Sequence, residues 1–428
     1  MQHMAPTQAH PELHSVTVDL GPRSYDVLIG SVASQCGSHV RKVLPSATSA
    51  ALVFDPVLPT QYADAVANSL RANGFQVHLV EPYVSVYRGR LGHPNQTPDR
   101  LTWESCEKYK TVDVVQSIVT QVAEKNLSRT DPIISLGGGI LSDLAGFAAA
   151  SYRRGVPWVN IPTTLLSMVD ATVGGKTGAN LHTPHGLLKN MVGAFHQPKL
   201  VLIDPAFLLT LPKRELAAGF AECIKHAMIA GGASLANEGD ANSLTFAAVR
   251  EAVAAAKSLS STNIAAIRTM SAFIHANVSL KARIVERDEF ETSTDSTSRM
   301  LLNLGHTFAH ALESVSGAVS NPLNPTSPIN HGEAVALGLI AATACAAAMN
   351  LVPASQIASV KSLIDEVPLP STIQSLPDNS RMIELMHADK KTLGKTLRVI
   401  FPTGASTAAV FTDPSTRVLE AGWNAIRG

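Results

Sequence analysis

Aromatic residues supply only 5% of this 428-residue chain, and charged residues only 16%. With hydrophobic residues at 45%, alanine must provide much of the apolar content. That balance is ordinary for a soluble globular protein and leans towards helix. Neither sign of charge is in excess, since 34 Lys and Arg meet 34 Asp and Glu. No net field therefore draws in nucleic acid or an anionic membrane, and basic residues matter only locally. The four cysteines, Cys36, Cys106, Cys223 and Cys345, form no CxxC pair and no even framework. They read as free thiols in a reducing, cytoplasmic setting. The longest apolar stretch, 334–352, is alanine-rich, short for a membrane span and directly preceded by His331 and Glu333; a buried core helix is expected there. Residues 1–13 contain no apolar segment of the signal-peptide kind and read as a flexible tail.

What is present falls into two textures. Short β-branched runs at 15–20, 25–29, 50–54, 76–80, 132–136, 158–161 and 200–203 alternate with amphipathic stretches such as 62–73 and 112–125. Strand and helix in repetition predict an α/β domain with a mainly parallel sheet, assigned to 14–211. Ligands of such sheets gather at the carboxyl ends of the strands, where the Gly137–Gly139 turn follows. From about residue 211 the chain reads as helices at 213–230, 244–259, 263–287, 300–315 and 333–350, closing with strands at 396–401 and 408–411. A mostly α-helical second domain over 212–428 follows, with an active site expected in the cleft between the two. The segments 84–100 and 320–330 read as loops, the latter holding three prolines and three asparagines.

Three separated segments each carry a strong metal ligand: Glu222 in AGFAECIKHA, His306 in RMLLNLGHTFAHALE and His331 in INHGEAVALG. One carboxylate and two imidazoles suit zinc, cobalt or iron and leave coordination positions open for substrate. A lone histidine on an apolar helix is more often a core residue, and His306 and His310 share a face at i, i+4. Spacing alone does not decide between His310 and His331 as the partner of His306; His331 is the preferred ligand, leaving His310 as a hydrogen-bonding or proton-relay group. The run Gly137-Gly138-Gly139-Ile140-Leu141-Ser142-Asp143 lacks the spacing of a GxGxxG fingerprint. It nevertheless opens a helical stretch whose first N–H groups can face a pyrophosphate. Pro162-Thr163-Thr164 adds two hydroxyls at the same sheet edge. Basic residues recur nearby: Lys176 in a glycine-rich turn, Lys189, Lys225 at i+3 from Glu222, Lys281, Arg299 beside Asn303, and Lys390-Lys391. Such residues usually serve as solvated surface. Together they could bind a carboxylate and a phosphate, with arginine offering a bidentate fork. A metal, a nicotinamide cofactor and clustered lysines point to redox chemistry on a phosphorylated polyol.

The segments GGGILSDLAGFAAASYRRGVPWVNIPTTLLSMVDATVGGKTGAN, LLKNMVGAFHQP, AGFAECIKHAMI, RMLLNLGHTFAHALE and HGEAVALG resemble the 3-dehydroquinate synthases of the sugar phosphate cyclase superfamily. The resemblance runs from about residue 16 to 411 and is dense between 130 and 345. It implies conversion of 3-deoxy-D-arabino-heptulosonate 7-phosphate to 3-dehydroquinate and phosphate, in the shikimate pathway. The implied route is transient oxidation by NAD, phosphate elimination, reduction and intramolecular aldol closure. It also implies a zinc or cobalt ion on Glu222, His306 and His331. NAD or substrate orientation would fall to Asp55, Glu107, Lys110, Gly137, Gly138, Gly139, Asp143, Thr163, Thr164, Asp170, Lys176 and Asn190. The substrate's carboxylate, hydroxyls and phosphate would be held by Lys176, Lys225, Lys281, Arg299, Asn303, His310 and one of Lys390 or Lys391. Arg154 would reach a phosphate across a homodimer interface.

Asn303 and His310 match the dehydroquinate pattern, whereas valiolone-type cyclases tend to carry an acidic residue and a proline there, and inosose-type cyclases usually differ at the asparagine. Departures from the family lie at 84–100, 181–188 and 320–330, and Cys106 stands where a glycine is usual. Amino-dehydroquinate, valiolone or inosose cyclases are the alternatives within the superfamily. A metal-dependent polyol dehydrogenase is the alternative outside it, and it has no need for Lys176, Lys225, Lys281 and Arg299 together.

Overall fold

A computed structural model describes residues 13–86, 99–102, 106–183, 186–232, 244–293, 298–315, 320–321, 324–388 and 396–428. The chain divides into two compact units. The first takes Met1–Thr163, Gly175–Thr210 and Ser258–His275; the second takes Thr164–Gly174, Leu211–Lys257 and Ala276–Gly428.

In the first unit the order is β1 (His14–Val18), β2 (Tyr25–Ile29), α1 (Cys36–Val43), β3 (Ser49–Phe54), α2 (Thr60–Ala72), β4 (Gln76–Val80), β5 (Tyr83–Val86), β6 (Asp99–Thr102), α3 (Val112–Glu124), β7 (Ile133–Gly137), α4 (Gly139–Ser151), β8 (Trp158–Pro162), β9 (Lys176–Thr183), β10 (Gly186–Phe195) and β11 (Leu200–Ile203). The runs read from the sequence as strands become one 7-stranded sheet, ordered β1-β2-β11-β8-β7-β3-β4. Only the β1–β2 pairing is antiparallel; the others are parallel. Central β7 and β8 are buried along their whole length, as expected of strands covered on both faces. Val114, Ile118, Leu141, Leu144 and Trp158 share a buried apolar cluster with Ile133. β7 and β8 pair as far as Gly137 with Pro162, and Thr163 N–H donates to the Gly137 carbonyl at 2.9 Å. The glycine turn and the threonine that follows β8 therefore lie at one sheet edge.

The second unit contains the π-helical turn Ser167–Ala171, α5 (Lys213–Ile229), α6 (Phe246–Lys257), the later residues of α7 (Ile264–Arg287), α8 (His306–Ser314), β12 (Ser320–Asn321), β13 (Asn324–Pro328), α9 (His331–Ala348), α10 (Ser355–Glu366), α11 (Asn379–Ala388), β14 (Arg398–Pro402), β15 (Ala408–Thr412) and α12 (Thr416–Ile426). Helix α9 packs against α5, α8 and α12, and Phe308 meets Trp423 edge-on at 5.0 Å. By length and apolar composition α9 could cross a membrane, but 83% of it is buried inside the fold. A helix apolar all round that is enclosed in this way is a core helix.

Several local expectations change. The loop read at 84–100 is flanked by β5 and β6, which pair antiparallel, because alternation in Tyr-Val-Ser-Val suits a strand. Lys176–Thr183 and Gly186–Phe195 form the antiparallel pair β9–β10, which their glycines hide from periodicity. Part of the 320–330 loop pairs as β12 with β13. The single helix read over 300–315 is instead a short 3-10 turn, Arg299–Asn303, then α8. Gly305 interrupts them at φ 80°, a left-handed conformation that side chains resist. A Cβ there would also stand 3.0 Å from Leu339 N, so α8 starts pressed against α9.

Candidate active site

Glu222 is fully buried near the middle of α5. His306 is the first residue of α8 and His331 the first of α9. The His331 Nε2 lies 3.4 Å from Glu222 Oε1, and the His306 Nε2 lies 3.6 Å from the same oxygen. Ligand atoms of the three residues all fall within 4.8 Å of one another. The approach of α9 to α5 depends on Gly332, where a Cβ would come 2.4 Å from Ala218 Cα. Arg214 of α5 clasps Glu333 of α9, with Nε to Oε1 and Nη2 to Oε2 both at 2.8 Å. Glu333 also closes a capping box with Asn330, so the first turn of α9 is fixed as His331 requires.

The Glu222 carboxylate is anionic in this setting. Burial alone would raise its pKa, but Lys225, His306 and His331 overcome that and hold it well below the usual range. Burial drives His306 down to about 3, with Lys225 adding to the effect against Glu222. Burial would lower His331 too, yet Glu222 and Glu313 carry it up to about 10. Among the described residues, neither Glu222 oxygen has a hydrogen bond of good geometry. A buried anion with such oxygens, faced by two imidazole nitrogens, is the donor set that a borderline divalent cation satisfies.

Beside this carboxylate stands a buried cluster of cations. Lys225 Nζ lies 2.6 Å from Glu222 Oε2, as their i, i+3 spacing on α5 predicts. It also lies 3.6 Å from Asp170 Oδ1. Lys281 Nζ reaches that Asp170 oxygen at 2.8 Å and also donates to the Asp170 backbone carbonyl. Burial opposes ionisation of Asp170, but Lys225 and Lys281 hold it well below the ordinary range. Burial likewise opposes the Lys225 charge, and Asp170 and Glu222 raise its pKa in spite of it. Lys281 goes the other way, to about 8, because burial outweighs Asp170 and the Arg299 and Lys225 charges add to it.

Arg299 is 2% exposed. Its Nη1 donates to the carbonyls of Gly174 at 3.1 Å and Glu289 at 2.6 Å. Asn303 donates to Glu291 Oε1 at 2.9 Å. The His310 ring stands 5.8 Å from that of His306, edge-on. His331, at 5.3 Å, rather than His310, completes the group around Glu222.

In the first unit, buried Lys110 is held by Asp143 Oδ2 at 2.5 Å and donates to Asn190 Oδ1 at 2.6 Å. Burial would lower its pKa, but Asp143 and Glu107 raise it. Glu107 Oε1 in turn accepts from Asn180 Nδ2 at 2.8 Å, and Asn180 Oδ1 accepts from the Asn190 N–H at 2.8 Å. These polar groups connect α4, which begins at Gly139, to β9 and β10. Gly138 is the N-cap of α4. The Asp55 Cβ would meet a Cβ placed on Gly137 at 3.3 Å, so Asp55 borders the glycine turn. Thr164 belongs to the second unit, where its hydroxyl pairs with Ser167 at 2.8 Å. Lys176 and Arg154 are exposed, Arg154 at φ 66°. Lys390 and Lys391 lie outside the described residues.

Three polar residues of the second unit escaped the sequence reading. His226 is fully buried, its Nδ1 3.0 Å from Asn277 Oδ1 and its Nε2 3.6 Å from Asp170 Oδ1. Its position at i+4 from Glu222 was the available signal. Asn277 sits one turn before Lys281 on α7 and carried a similar one. Glu313, at 2.8 Å from His331 Nδ1, follows His306 by two helical turns.

Comparison with known proteins agrees along most of the chain. The family model for the 3-dehydroquinate synthase N-terminal region matches residues 100–218, and that for the C-terminal region matches 219–392. A 3-dehydroquinate synthase from Rippkaea orientalis is 35% identical over 409 residues, 95% of this chain and 96% of that one. In fold the chain is similar to a 2-deoxy-scyllo-inosose synthase solved with carbaglucose-6-phosphate, NAD+ and Co2+, at TM-score 0.72 and 22% identity, over 96% of this chain and 100% of that one. It is also similar to a 2-epi-5-epi-valiolone synthase from Streptomyces hygroscopicus subsp. jinggangensis 5008 with NAD+ and Zn2+ bound, at TM-score 0.70 and 23% identity, over 94% and 96% of the two chains.

Proposed function

The chain belongs to the 3-dehydroquinate synthase family, and from that premise we infer how its own residues carry the reaction. It converts 3-deoxy-D-arabino-heptulosonate 7-phosphate to 3-dehydroquinate and phosphate, by transient NAD-dependent oxidation, phosphate elimination, reduction and intramolecular aldol closure. It is thus a phosphate-eliminating enzyme of the shikimate pathway that uses NAD and a divalent metal.

Glu222, His306 and His331 would hold zinc or cobalt. When bound there, the cation supplies Lewis acidity towards the substrate's hydroxyl oxygens. The observation that carries this assignment is the meeting of three distant segments on one buried carboxylate, 2.6 Å from the Lys225 ammonium. Lys225 keeps Glu222 ionised and so ready for a cation. Lys281 and Arg299 supply positive charge for a multiply anionic substrate, worth more in a buried setting than in water. Asn303 and His310 are assigned to the substrate's hydroxyls and carboxylate, and Asp170 orients the lysines that hold it. Lys176 and one of Lys390 or Lys391 are assigned to the phosphate. Arg154 would act in the partner subunit's site of a homodimer.

NAD, which accepts and returns a hydride, is assigned to residues 14–211, through the Gly137–Gly139 turn, Asp55, Asp143, Thr163, Thr164, Glu107, Lys110 and Asn190. The metal and substrate are assigned to 212–428. A cytoplasmic location fits the free thiols of all four cysteines.

The deciding assay supplies heptulosonate phosphate, catalytic NAD+ and zinc or cobalt, and follows phosphate together with absorbance at 340 nm. Phosphate in many-fold excess over NAD+, without accumulating NADH, is the expected result. NADH rising in step with substrate consumed would overturn this reading in favour of a polyol dehydrogenase.

A further inference from the structure

The two imidazoles that face Glu222 are steered through their other ring nitrogens, and by different groups. His306 Nδ1 lies 3.2 Å from the Leu304 carbonyl oxygen. His331 Nδ1 lies 2.8 Å from Glu313 Oε1. A carbonyl and a carboxylate only accept hydrogen bonds, so in each ring Nδ1 carries the hydrogen. Nε2 is then the nitrogen on the side of Glu222, at 3.6 Å for His306 and 3.4 Å for His331, and the one left to meet a cation.

The need for such steering differs between the rings. The His306 side chain is 12% exposed and held by its surroundings, whereas that of His331 is 39% exposed. His331 also opens its helix, so no preceding helical turn restrains its rotamer. Glu313 is 11% exposed and lies seven residues after His306, which puts both on one face of α8. One short helix thus contributes a proposed ligand and the group that orients the next one.

We propose that Glu313 is a positioning residue of the metal site: its carboxylate holds His331 in the tautomer and rotamer that present Nε2 to a divalent cation, and strengthens that nitrogen as a donor. The proposal rests on the reading of Glu222, His306 and His331 as the metal set. Carboxylates behind metal-binding histidines act in this way, and losing one weakens metal binding about ten- to a hundredfold. His306 has a neutral carbonyl in that place, which gives none of the electronic part of this support.

The test is metal binding on chelator-stripped protein, without substrate or NAD. The Kd for Zn2+ is read by competition with a chromophoric chelator, the Co2+ complex by its visible absorption, and the metal-free Tm by calorimetry. Glu313→Ala is expected to raise the Kd about ten- to a hundredfold, alter the Co2+ spectrum and leave the metal-free Tm near that of the parent. Glu313→Gln, whose amide oxygen still accepts the Nδ1 hydrogen, is expected to lose less affinity than the alanine variant. Unchanged Kd and Co2+ spectrum in E313A would overturn the proposal. So would a metal-free Tm that falls as far as the metal-loaded one, since the role would then be structural. Should E313A not fold, E313Q decides: a raised Kd with a parental metal-free Tm supports the proposal, and a parental Kd overturns it. Failure of the parent protein itself to bind either metal would refute the metal-set reading instead.

Discussion

The Lys281 ammonium lies 2.8 Å from Asp170 Oδ1, and Lys225 approaches the same oxygen at 3.6 Å. One carboxylate thus serves two buried lysines, and their titration behaviour diverges. Burial and the neighbouring cations bring Lys281 down to about 8, while Asp170 and Glu222 keep Lys225 charged against burial.

Activity that depends on the Lys281 charge is therefore complete well below pH 8 and lost as pH rises through about 8. kcat/KM, which reports the free enzyme, is expected to fall on that limb. Lys281→Arg stays charged throughout, so its profile should lack the limb even if its rate is lower. An identical limb in both proteins counts against Lys281. The lowered folded pKa also has a stability consequence. Between about 8 and the ordinary lysine value of 10.5, the unfolded chain binds more protons, so this residue's contribution makes stability rise with pH. Thermal melts of parent and K281R across that window should separate it from other groups.

Removing Glu222 leaves Lys225 buried without its nearest anion. Glu222→Ala is expected to destabilise the protein by about 3–5 kcal/mol, the usual cost of breaking a buried pair from one side. It should also abolish stoichiometric zinc. Denaturant unfolding and elemental analysis of the dialysed protein measure both. A variant that retains one zinc per chain would remove Glu222 from the metal set.

Lys110 depends on Asp143 in a comparable way. In Asp143→Asn the ammonium keeps a hydrogen-bonding neighbour but loses the countercharge that raises its pKa. NAD affinity, read by fluorescence titration, is expected to fall by about tenfold, the equivalent of one lost charge-assisted contact near 1.4 kcal/mol. An unchanged NAD affinity would place the Lys110–Asp143 pair among purely structural contacts.

Gly305→Ala tests the break between the 3-10 turn and α8. The left-handed φ of 80° and the close approach to α9 both oppose a side chain. A loss of about 1–3 kcal/mol is expected from the backbone conformation alone. Because His306 follows directly, zinc affinity should weaken along with Tm. A fall in Tm with metal binding intact would mean that the helix start tolerates the shift.

How much of this was legible beforehand varies with the range of the interaction. The sheet strands and α5 announced themselves, because burial imposes a period on neighbouring residues. The pair Glu222 and Lys225 was readable as helix spacing. The α8 break was not, since Gly305 lies in a run otherwise periodic enough to continue as a helix. The β9–β10 pairing was also missed, because glycines at 175, 178, 186 and 193 weaken any strand signal. His226 and Asn277 passed as ordinary helix residues, since they lie 51 positions apart and Asp170, the other neighbour of His226, belongs to the Ser167–Ala171 turn.

The sequence by itself determined the alternating α/β character of the first half, the helical texture of the second and the family, since these rest on local periodicity and ordered motifs. Tertiary structure alone decided the strand order β1-β2-β11-β8-β7-β3-β4, the meeting of Glu222, His306 and His331 within 4.8 Å, and the placing of Glu313 behind His331. Those outcomes depend on which distant faces pack together, and chain spacing carries no information about distance once two segments belong to different helices.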